Sequence, residues 1–591
     1  MSRSRPELHS ILIANRGEIA VRIIRACREL GVRSIAVYSD ADRGALHTRL
    51  ADQAHRLGPA PARESYLDVA RIIEVACAAG ADAVHPGYGL LSENADFAAA
   101  VIAAGLVFIG PPPDLIATLG DKVSARAVAR RCGVPLLPAS DATITGAGEA
   151  LRVARSIGFP LLVKACFGGG GRGMRVVHDE SGLQTALQEA GRESTAAFGR
   201  AEVYLERFVA HARHVEVQVL GDAHGNVLHL GDRDCSVQRR NQKMIEEAPA
   251  PDLAPQLRAA LADAALRLAT SVGYQSAGTV EFLVDAKTGQ FHFLEMNTRL
   301  QVEHGVTELV TGVDLVQAQI RIAAGEPLAF SQNQVRINGH AIEARIAAED
   351  PWDGFRPHAG RIESLNLPLG PWLRLDFGVE SGDAIPSHYD SMFGKLHAWG
   401  PDRNSARERL AVALELLKIA GAPTTAPYLR QVLEQPDFVA VAHDTSSVDR
   451  SWAPDPAHRP EPVAAVTRQA SENFAERRVR LGTRAGTIEV SVYGREHRRP
   501  TVLAAGGGTR GTDVSSPTAT EPVAPLDGSV VRVAVVAGER VEKGALLLIL
   551  EAMKMELPVF APRDGAVEAV MVKIGDVVTR GGLLVKLSTT G

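Results

Sequence analysis

Near its C-terminus the chain reads Ala524-Pro-Leu-Asp-Gly-Ser-Val530 and, 37 residues on, Ala561-Pro-Arg-Asp-Gly-Ala-Val567. The match continues at the same offset through Gly538 and Gly575, Val541 and Val578, Gly544 and Gly581, Leu546 and Leu583, and Leu550 and Leu587. Two half-motifs of short β-type runs and Gly turns predict a small pseudo-twofold β-sandwich. Between the halves lies Glu551-Ala-Met-Lys-Met-Glu-Leu557, which must then contain the connecting turn. A lysine on such a turn offers a reachable amine. Of the 64 basic residues only ten are Lys and 54 are Arg. Arg cannot serve as such an amine, so a stray surface lysine explains Lys554 poorly.

Moving toward the N-terminus, 451–462 and 506–522 are rich in Pro, Gly, Ser and Thr and read as linker. Alternating residues at 479–492 between them suggest a small β-element. Upstream, strand-like runs at 10–14, 34–38, 81–85 and 106–109 alternate with helical patterns such as 17–30, which predicts a parallel, doubly wound sheet. A second α/β segment, about 134–206, holds a Gly-rich run at 168–173 between strands at 161–164 and 174–178. From 211 to 294 strands dominate, interrupted by a helix at 252–272.

Composition narrows the function. The net charge of -5 gives no broad basic field for nucleic acid. No apolar run approaches the length of a membrane span, and the first residues lack an apolar signal core. Five Cys without any CxxC pair speak against a disulfide framework or a structural zinc site, so a reducing, cytoplasmic setting is expected.

Glu551-Ala-Met-Lys554-Met-Glu556, set between two β half-repeats, resembles a biotin carboxyl carrier domain. A lipoyl domain has the same architecture, but Met on both sides of the lysine resembles the biotin type. The first ~450 residues resemble biotin carboxylase of the ATP-grasp family. The resembling segments include Ala14-Asn-Arg-Gly-Glu-Ile-Ala20, His85-Pro-Gly-Tyr-Gly89, Gly168-Gly-Gly-Gly-Arg-Gly-Met174, Arg233-Asp-Cys-Ser236, Glu295-Met-Asn-Thr-Arg-Leu-Gln-Val-Glu-His304 and His388-Tyr-Asp-Ser-Met392. The expected architecture is a multidomain α/β protein. It comprises a Rossmann-like domain (1–120), an ATP-grasp lid (121–210), ATP-grasp plus carboxylase C-terminal domains (211–450), a linker (451–522) and an all-β biotinyl/lipoyl-type sandwich (523–589).

The resemblance implies roles for individual residues. Lys122, Lys164, Gly168, Gly169, Gly170, Gly171, Glu206, His214, Gln238 and Glu281 would bind ATP. Glycines allow backbone N–H groups to approach phosphate closely. Glu281, Glu295 and Asn297 would hold magnesium or manganese, a hard cation that takes oxygen ligands. Lys243, Arg299, Gln301, Val302 and Glu303 would hold bicarbonate, with Arg299 as its forked cation and Glu303 as general base. Lys243, Arg299, Glu303 and Arg345 form the catalytic set, Arg345 stabilising the biotin ureido oxygen. Biotin would sit on Lys554. Arg22, Arg25 and Glu29 resemble the family's dimer surface, while a solvated helical face is the plainer explanation of them. Asn241 departs from the family pattern, where His is frequent. Leu90 and Phe167 are lesser departures.

The implied activity is ATP- and bicarbonate-dependent carboxylation of biotin on the chain's own carrier, as the α-subunit of an acyl-CoA carboxylase. No carboxyltransferase segment is visible, so a separate carboxyltransferase β-subunit is expected. The other expected partners are a biotin protein ligase and further copies of the chain. Acetyl-CoA and propionyl-CoA lead the acceptors, ahead of longer acyl-CoA or methylcrotonyl-CoA. Two alternatives stay open: another ATP-grasp acid ligase with a lipoyl-type arm, or a carrier and assembly subunit whose carboxylase domain is inactive.

Overall fold

The computed structural model describes residues 7–140, 142–144, 146–166, 174–198, 202–461, 474–483, 486–495, 521–553 and 555–588. The N-terminal unit is a five-stranded parallel sheet in the order Gln53–Gly58, Arg33–Ser39, Ser10–Ile13, Ala83–His85, Val107–Phe108. Its central strand, Ser10–Ile13, is buried throughout, as expected of a parallel strand covered on both faces. The helix Gly17–Glu29 follows it and buries Ile19, Ile23 and Ile24 at helical spacing. Gln53–Gly58 was not legible as a strand, because its edge position leaves alternate residues exposed.

The lid carries a three-stranded sheet, Arg175–Val177, Leu161–Ala165 and Val203–Arg207. Helices Ala147–Ile157 and Glu180–Phe198 accompany it. The Gly-rich run 168–173 lies outside the described residues.

The centre of the molecule is an eight-stranded sheet. Its order is Phe291–Asn297, Ser276–Asp285, Ala212–Gly221, Val227–Arg239, Gln242–Ala248, His340–Ala347, Met392–Gly400 and Leu373–Phe377. Every neighbouring pair is antiparallel. The helix expected over 252–272 forms as Pro255–Ser271, with Pro at its first position.

The stretch following residue 450 is tied to the preceding domain for nine residues. Trp452 is buried in the core with Tyr428 and Phe438, Tyr428 Oη donates to its carbonyl at 2.7 Å, and Arg459 pairs with Asp350. The β-element expected within 479–492 is a hairpin, Phe474–Thr483 with Gly486–Arg495.

The C-terminal unit packs a four-stranded sheet against short strands that continue the repeat. Gly528–Val533 and Gly565–Val570 occupy equivalent places, as do Arg540–Val541 and Val577–Val578. The paired turn glycines share a left-handed backbone: φ is 89° and 93° at Gly538 and Gly575, and 88° and 82° at Gly544 and Gly581. Only glycine adopts that conformation without strain, which is why these positions recur in the repeat. Among the described residues no helix is long and apolar enough to cross a membrane.

Candidate functional site

Strand register builds the site. Glu281 pairs with Glu295 on one side and Glu216 on the other, and Glu216 pairs in turn with Arg233. Residues directly opposite in antiparallel strands share a face, with Cβ atoms about 5 Å apart. Three carboxylates and one guanidinium therefore form a row across four strands. Like charges placed this way repel, so the row persists because cations are set among them. Arg233, wholly buried, closes the row 2.5 Å from Glu216 Oε1. Lys243 Nζ reaches Glu216 at 2.7 Å, Glu281 at 3.2 Å and Glu303 at 2.6 Å. His214 Nε2 stands 2.8 Å from Glu281 Oε2. Burial by itself would raise the Glu281 carboxyl, but Lys243 and His214 override it and hold the group well below the carboxylate range.

At the open end of the row, Glu295 Oε2 is 3.5 Å from Lys122 Nζ and Asn297 Nδ2 donates to Glu281 Oε1 at 2.8 Å. Glu281 and Glu295 are register partners and Asn297 stands two residues on; their side chains carry oxygens of the kind magnesium takes, with Asn297 Oδ1 accepting from Arg299 at 3.1 Å. A second group with mutually close ligand atoms, His214, Glu216 and Glu281, suits it less. Its Glu216 is already engaged by Arg233 and Lys243.

The turn joining Phe291–Asn297 to the helix His304–Thr311 carries the expected anion-binding residues. Arg299 donates to Gln301 Oε1 (2.9 Å), Asn297 Oδ1 (3.1 Å) and Glu93 Oε2 (2.9 Å). Gln301 Nε2 donates to Glu281 Oε1 at 3.2 Å. Glu303 is fully buried. Lys243 donates to its Oε1 and Arg345 to its Oε2, at 2.6 Å and 2.9 Å. Burial would push this carboxyl up, but Lys243, Arg345 and Arg233 outweigh it, leaving Glu303 far below the usual range and ionised. Glu246 shares Arg345 at 2.6 Å. For it burial wins, raising it to about 8 despite Arg345.

At the lid, Lys164 Nζ and Arg126 Nη1 grip Glu206 at 2.7 Å and 2.6 Å, and Lys122 begins the helix Lys122–Arg131. Gln238 Nε2 donates at 3.5 Å to the Cys235 carbonyl. Gly168, Gly169, Gly170 and Gly171 lie outside the described residues. Asn241 acquires a structural reason. Arg239 and Gln242 are register partners, so Arg240 and Asn241 form a two-residue hairpin turn with φ of 47° and 64°. Asn tolerates that conformation better than most residues.

Glu93, Glu216, Glu246 and Arg233 stand in segments that resemble the family, Leu91-Ser-Glu-Asn94, Arg213-His-Val-Glu-Val-Gln218, Glu246-Glu-Ala-Pro249 and Arg233-Asp-Cys-Ser236, for which the sequence reading gives these residues no role. Lys395 likewise has no role in that reading, and Arg126 is not singled out by it. Arg22, expected on an exterior helical face, is buried instead, with Asp314 at 2.7 Å and Glu308 at 3.1 Å. Arg25 remains half exposed, 3.7 Å from Asp376, and Glu29 accepts from Gln317 at 2.6 Å.

The carrier-like sandwich touches the carboxylase-like part. Ser387 Oγ donates to Asp527 Oδ2 at 2.8 Å. Met553 and Met555 are buried in the same apolar cluster as Phe355, Ile385 and Phe393. Ala552 pairs with Met555, and Met553 has φ of 50°. Lys554 itself lies outside the described residues.

Residues 7–116 match the family model "Biotin carboxylase, N-terminal domain", 121–331 "Carbamoyl-phosphate synthase L chain, ATP binding domain", 343–450 "Biotin carboxylase C-terminal domain" and 512–587 "Biotin-requiring enzyme". The chain is 50% identical over 438 residues, 74% of its length, to a biotin carboxylase from Nostoc sp., covering 98% of that protein. It is 49% identical over 448 residues, 75% of its length, to the alpha subunit of a methylcrotonoyl-CoA carboxylase from Oryza sativa, covering 60% of that protein. A crystal structure of biotin carboxylase from Campylobacter jejuni superposes with a TM-score of 0.73 at 46% identity, over 75% of this chain and 99% of that one. The chain belongs to the biotin carboxylase family of ATP-dependent ligases and joins such a carboxylase to a biotin carrier domain.

Proposed function

We propose that the chain carboxylates biotin on Lys554 of its own carrier domain and serves as the α-subunit of an acyl-CoA carboxylase. The observation that carries this reading is Glu303, buried and ionised between Lys243 and Arg345, beside the oxygens of Glu281, Glu295 and Asn297. A bicarbonate seated against Arg299, Gln301 and the Val302 backbone loses its proton to Glu303, and its oxygen attacks the γ-phosphorus of ATP. Carboxyphosphate and ADP result. Such a transfer is catalysed chiefly by positioning and charge neutralisation, which Lys122, Lys164, Lys243 and Arg299 supply. Magnesium held by Glu281, Glu295 and Asn297 would neutralise phosphate charge further. Glu206, held by Lys164 and Arg126 near the lid, is assigned to the nucleotide base, with His214 and Gln238 toward ribose and phosphate. Carboxyphosphate breaks down to carbon dioxide and phosphate, and when biotin is attached its ureido nitrogen would take up the carbon dioxide as the phosphate takes the N–H proton. Arg345 steadies the ureido oxygen as charge develops there.

A separate carboxyltransferase subunit then passes the carboxyl group to an acyl-CoA, with acetyl-CoA and propionyl-CoA as the leading acceptors. The likeness to the alpha subunit of a methylcrotonoyl-CoA carboxylase supports the subunit type, whereas a relative named as part of a pyruvate carboxylase, 49% identical, carries a different acceptor in its name. A similar solved structure, from Hydrogenobacter thermophilus, is a biotin carboxylase domain dimer, which supports self-association here.

The test is ADP release by the purified chain with free biotin, with and without bicarbonate. Bicarbonate-dependent release is expected. Its absence would exclude the carboxylase reading and favour a pure carrier or assembly role. Co-purification of the native protein, followed by mass measurement of its partner, identifies the acceptor enzyme.

A further inference from the structure

We infer that Lys395 is a positioning residue for the bicarbonate-binding turn: its ammonium fixes the Val302 peptide so that Glu303 meets Lys243 and Arg345. This deepens the function proposed above and rests on it.

Lys395 lies on the strand Met392–Gly400 and is wholly buried, one of the largest side chains in the core to be so. Buried lysines are rare and need partners. Register supplies its setting. Lys395 is paired directly with Arg345 on one neighbouring strand and with Asp376 on the other. Lys395 and Arg345 therefore project side by side from one face. Arg345 holds residue 303 by its carboxylate, at 2.9 Å. Lys395 holds residue 302 by its backbone, Nζ donating to the Val302 carbonyl at 2.7 Å. Two adjacent cations thus grip two successive residues of one turn.

Besides Asp376 and His304, which feel its charge, two neighbours of the ammonium come from the N-terminal domain. Glu18 Oε1 is 3.4 Å away, an ion pair too long and poorly aimed to satisfy that carboxylate, whose oxygens find no hydrogen-bond partner. The ring of Tyr88 lies 5.6 Å from Nζ, within cation–π range. The tightest contact of Lys395 is therefore the peptide carbonyl and not a counter-charge. The amine is aimed at the turn, and the helix Gly17–Glu29 backs it. Gly378 shows how closely this helix is pressed against the C-terminal domain, for a Cβ there would meet the Glu18 backbone nitrogen at 2.4 Å. Lys395 is the point where the N-terminal domain, the central sheet and the bicarbonate turn meet. A slim, flexible ammonium fits this enclosed spot, where the broad planar guanidinium of the chain's preferred basic residue does not.

The experiment uses the full-length chain, with Lys395→Met, which keeps bulk without a donor, and Lys395→Gln, which keeps an N–H donor without charge. Bicarbonate-dependent ADP release with free biotin is measured while bicarbonate and ATP are varied separately. Circular dichroism and the thermal midpoint report folding. A misplaced turn should raise the bicarbonate KM of Lys395→Met about tenfold or more, with the ATP KM within about twofold, because positioning losses of this kind fall on the substrate they orient. Lys395→Gln should lie between Met and wild type. A folded variant with unchanged bicarbonate KM, or with both KM values rising together, overturns the inference. So does failure of both variants to fold, which would make Lys395 purely structural. A wild-type chain without bicarbonate dependence would instead remove the functional reading itself, so the two failures are distinguishable.

Discussion

Glu303 Oε1 accepts a 2.6 Å hydrogen bond from Lys243 Nζ, so the proposed base is neutralised by a neighbour from another strand before any substrate arrives. Three cations hold its carboxyl well below 4.5 despite complete burial. A depressed acid stays ionised above its lowered value and loses its charge only as pH falls through it. The acid limb of kcat/KM for bicarbonate, which reports the free enzyme, should therefore not come from Glu303 near neutrality. Lys243→Met removes one of the depressing charges, so the Glu303 value rises and the loss of activity at pH 6 relative to pH 8 should deepen. Superimposable pH profiles for variant and wild type would refute this.

The ends of the carboxylate row should respond differently to neutralisation. Glu295 is partly exposed and, among the described residues, has one ion pair, with Lys122 at 3.5 Å, so Glu295→Gln should fold normally. It should need more magnesium for half-maximal ADP release, by at least the roughly tenfold that loss of an outer-shell partner costs. Glu281→Gln should show the same requirement and also a lower Tm, because His214 and Lys243 lose a buried counter-charge. A magnesium titration beside thermal melts separates the two effects, and an unaltered magnesium requirement in both variants would dismiss the metal assignment.

Ser387 and Asp527 form a hydrogen bond between the carboxylase and its carrier. Ser387→Ala removes that contact while leaving Asp527 bonded to the Arg580 backbone within the carrier. One hydrogen bond is worth about 0.5–1.5 kcal/mol, so self-carboxylation should slow several-fold with free-biotin activity unchanged. Equal rates of self-carboxylation would show that the contact does not guide docking.

Lys554→Arg should retain ADP release on free biotin and lose self-carboxylation altogether, since a guanidinium cannot be acylated by the ligase. Streptavidin blotting alongside radiolabelled bicarbonate incorporation checks both halves, and residual incorporation would place the arm elsewhere.

Glu18 titrates in the opposite sense from Glu303. Burial lifts its carboxyl to about 7, with Lys395 offsetting this only in part. The folded state thus keeps a proton that the unfolded chain releases near 4.5. The stability linked to it is complete below 4.5 and is lost as pH rises through 7. Glu18→Gln should be stabilised relative to wild type more at pH 8 than at pH 5, by up to about 3 kcal/mol. Denaturant melts at the two pH values give the answer, and a pH-independent difference would contradict it.

Much of the fold was legible because it rests on local patterns. The 37-residue repeat, its left-handed glycines and the strand–helix alternation after Ser10 need only neighbours in sequence. Gln53–Gly58 was an omission, since it buries too little to show a pattern, and the interior strands Gln242–Ala248, His340–Ala347 and Met392–Gly400 were not singled out either. Arg22 misled because its neighbours at i+4 looked sufficient, while its partners Glu308 and Asp314 lie almost 300 residues away. Asn241 looked like a defect until its φ of 64° placed it in a hairpin turn.

By itself the sequence determined which chemical groups are present, how the carrier repeats, and that Lys554 stands between the halves. The pairing of Glu281 with Glu295 was already readable from two strands joined by a short turn; the tertiary structure alone decided that Glu216 and Arg233 extend that pair into one row, and that Lys395 stands beside Arg345. Both follow from the register of antiparallel strands, in which hydrogen bonding across the sheet, and not distance along the chain, chooses each residue's neighbour.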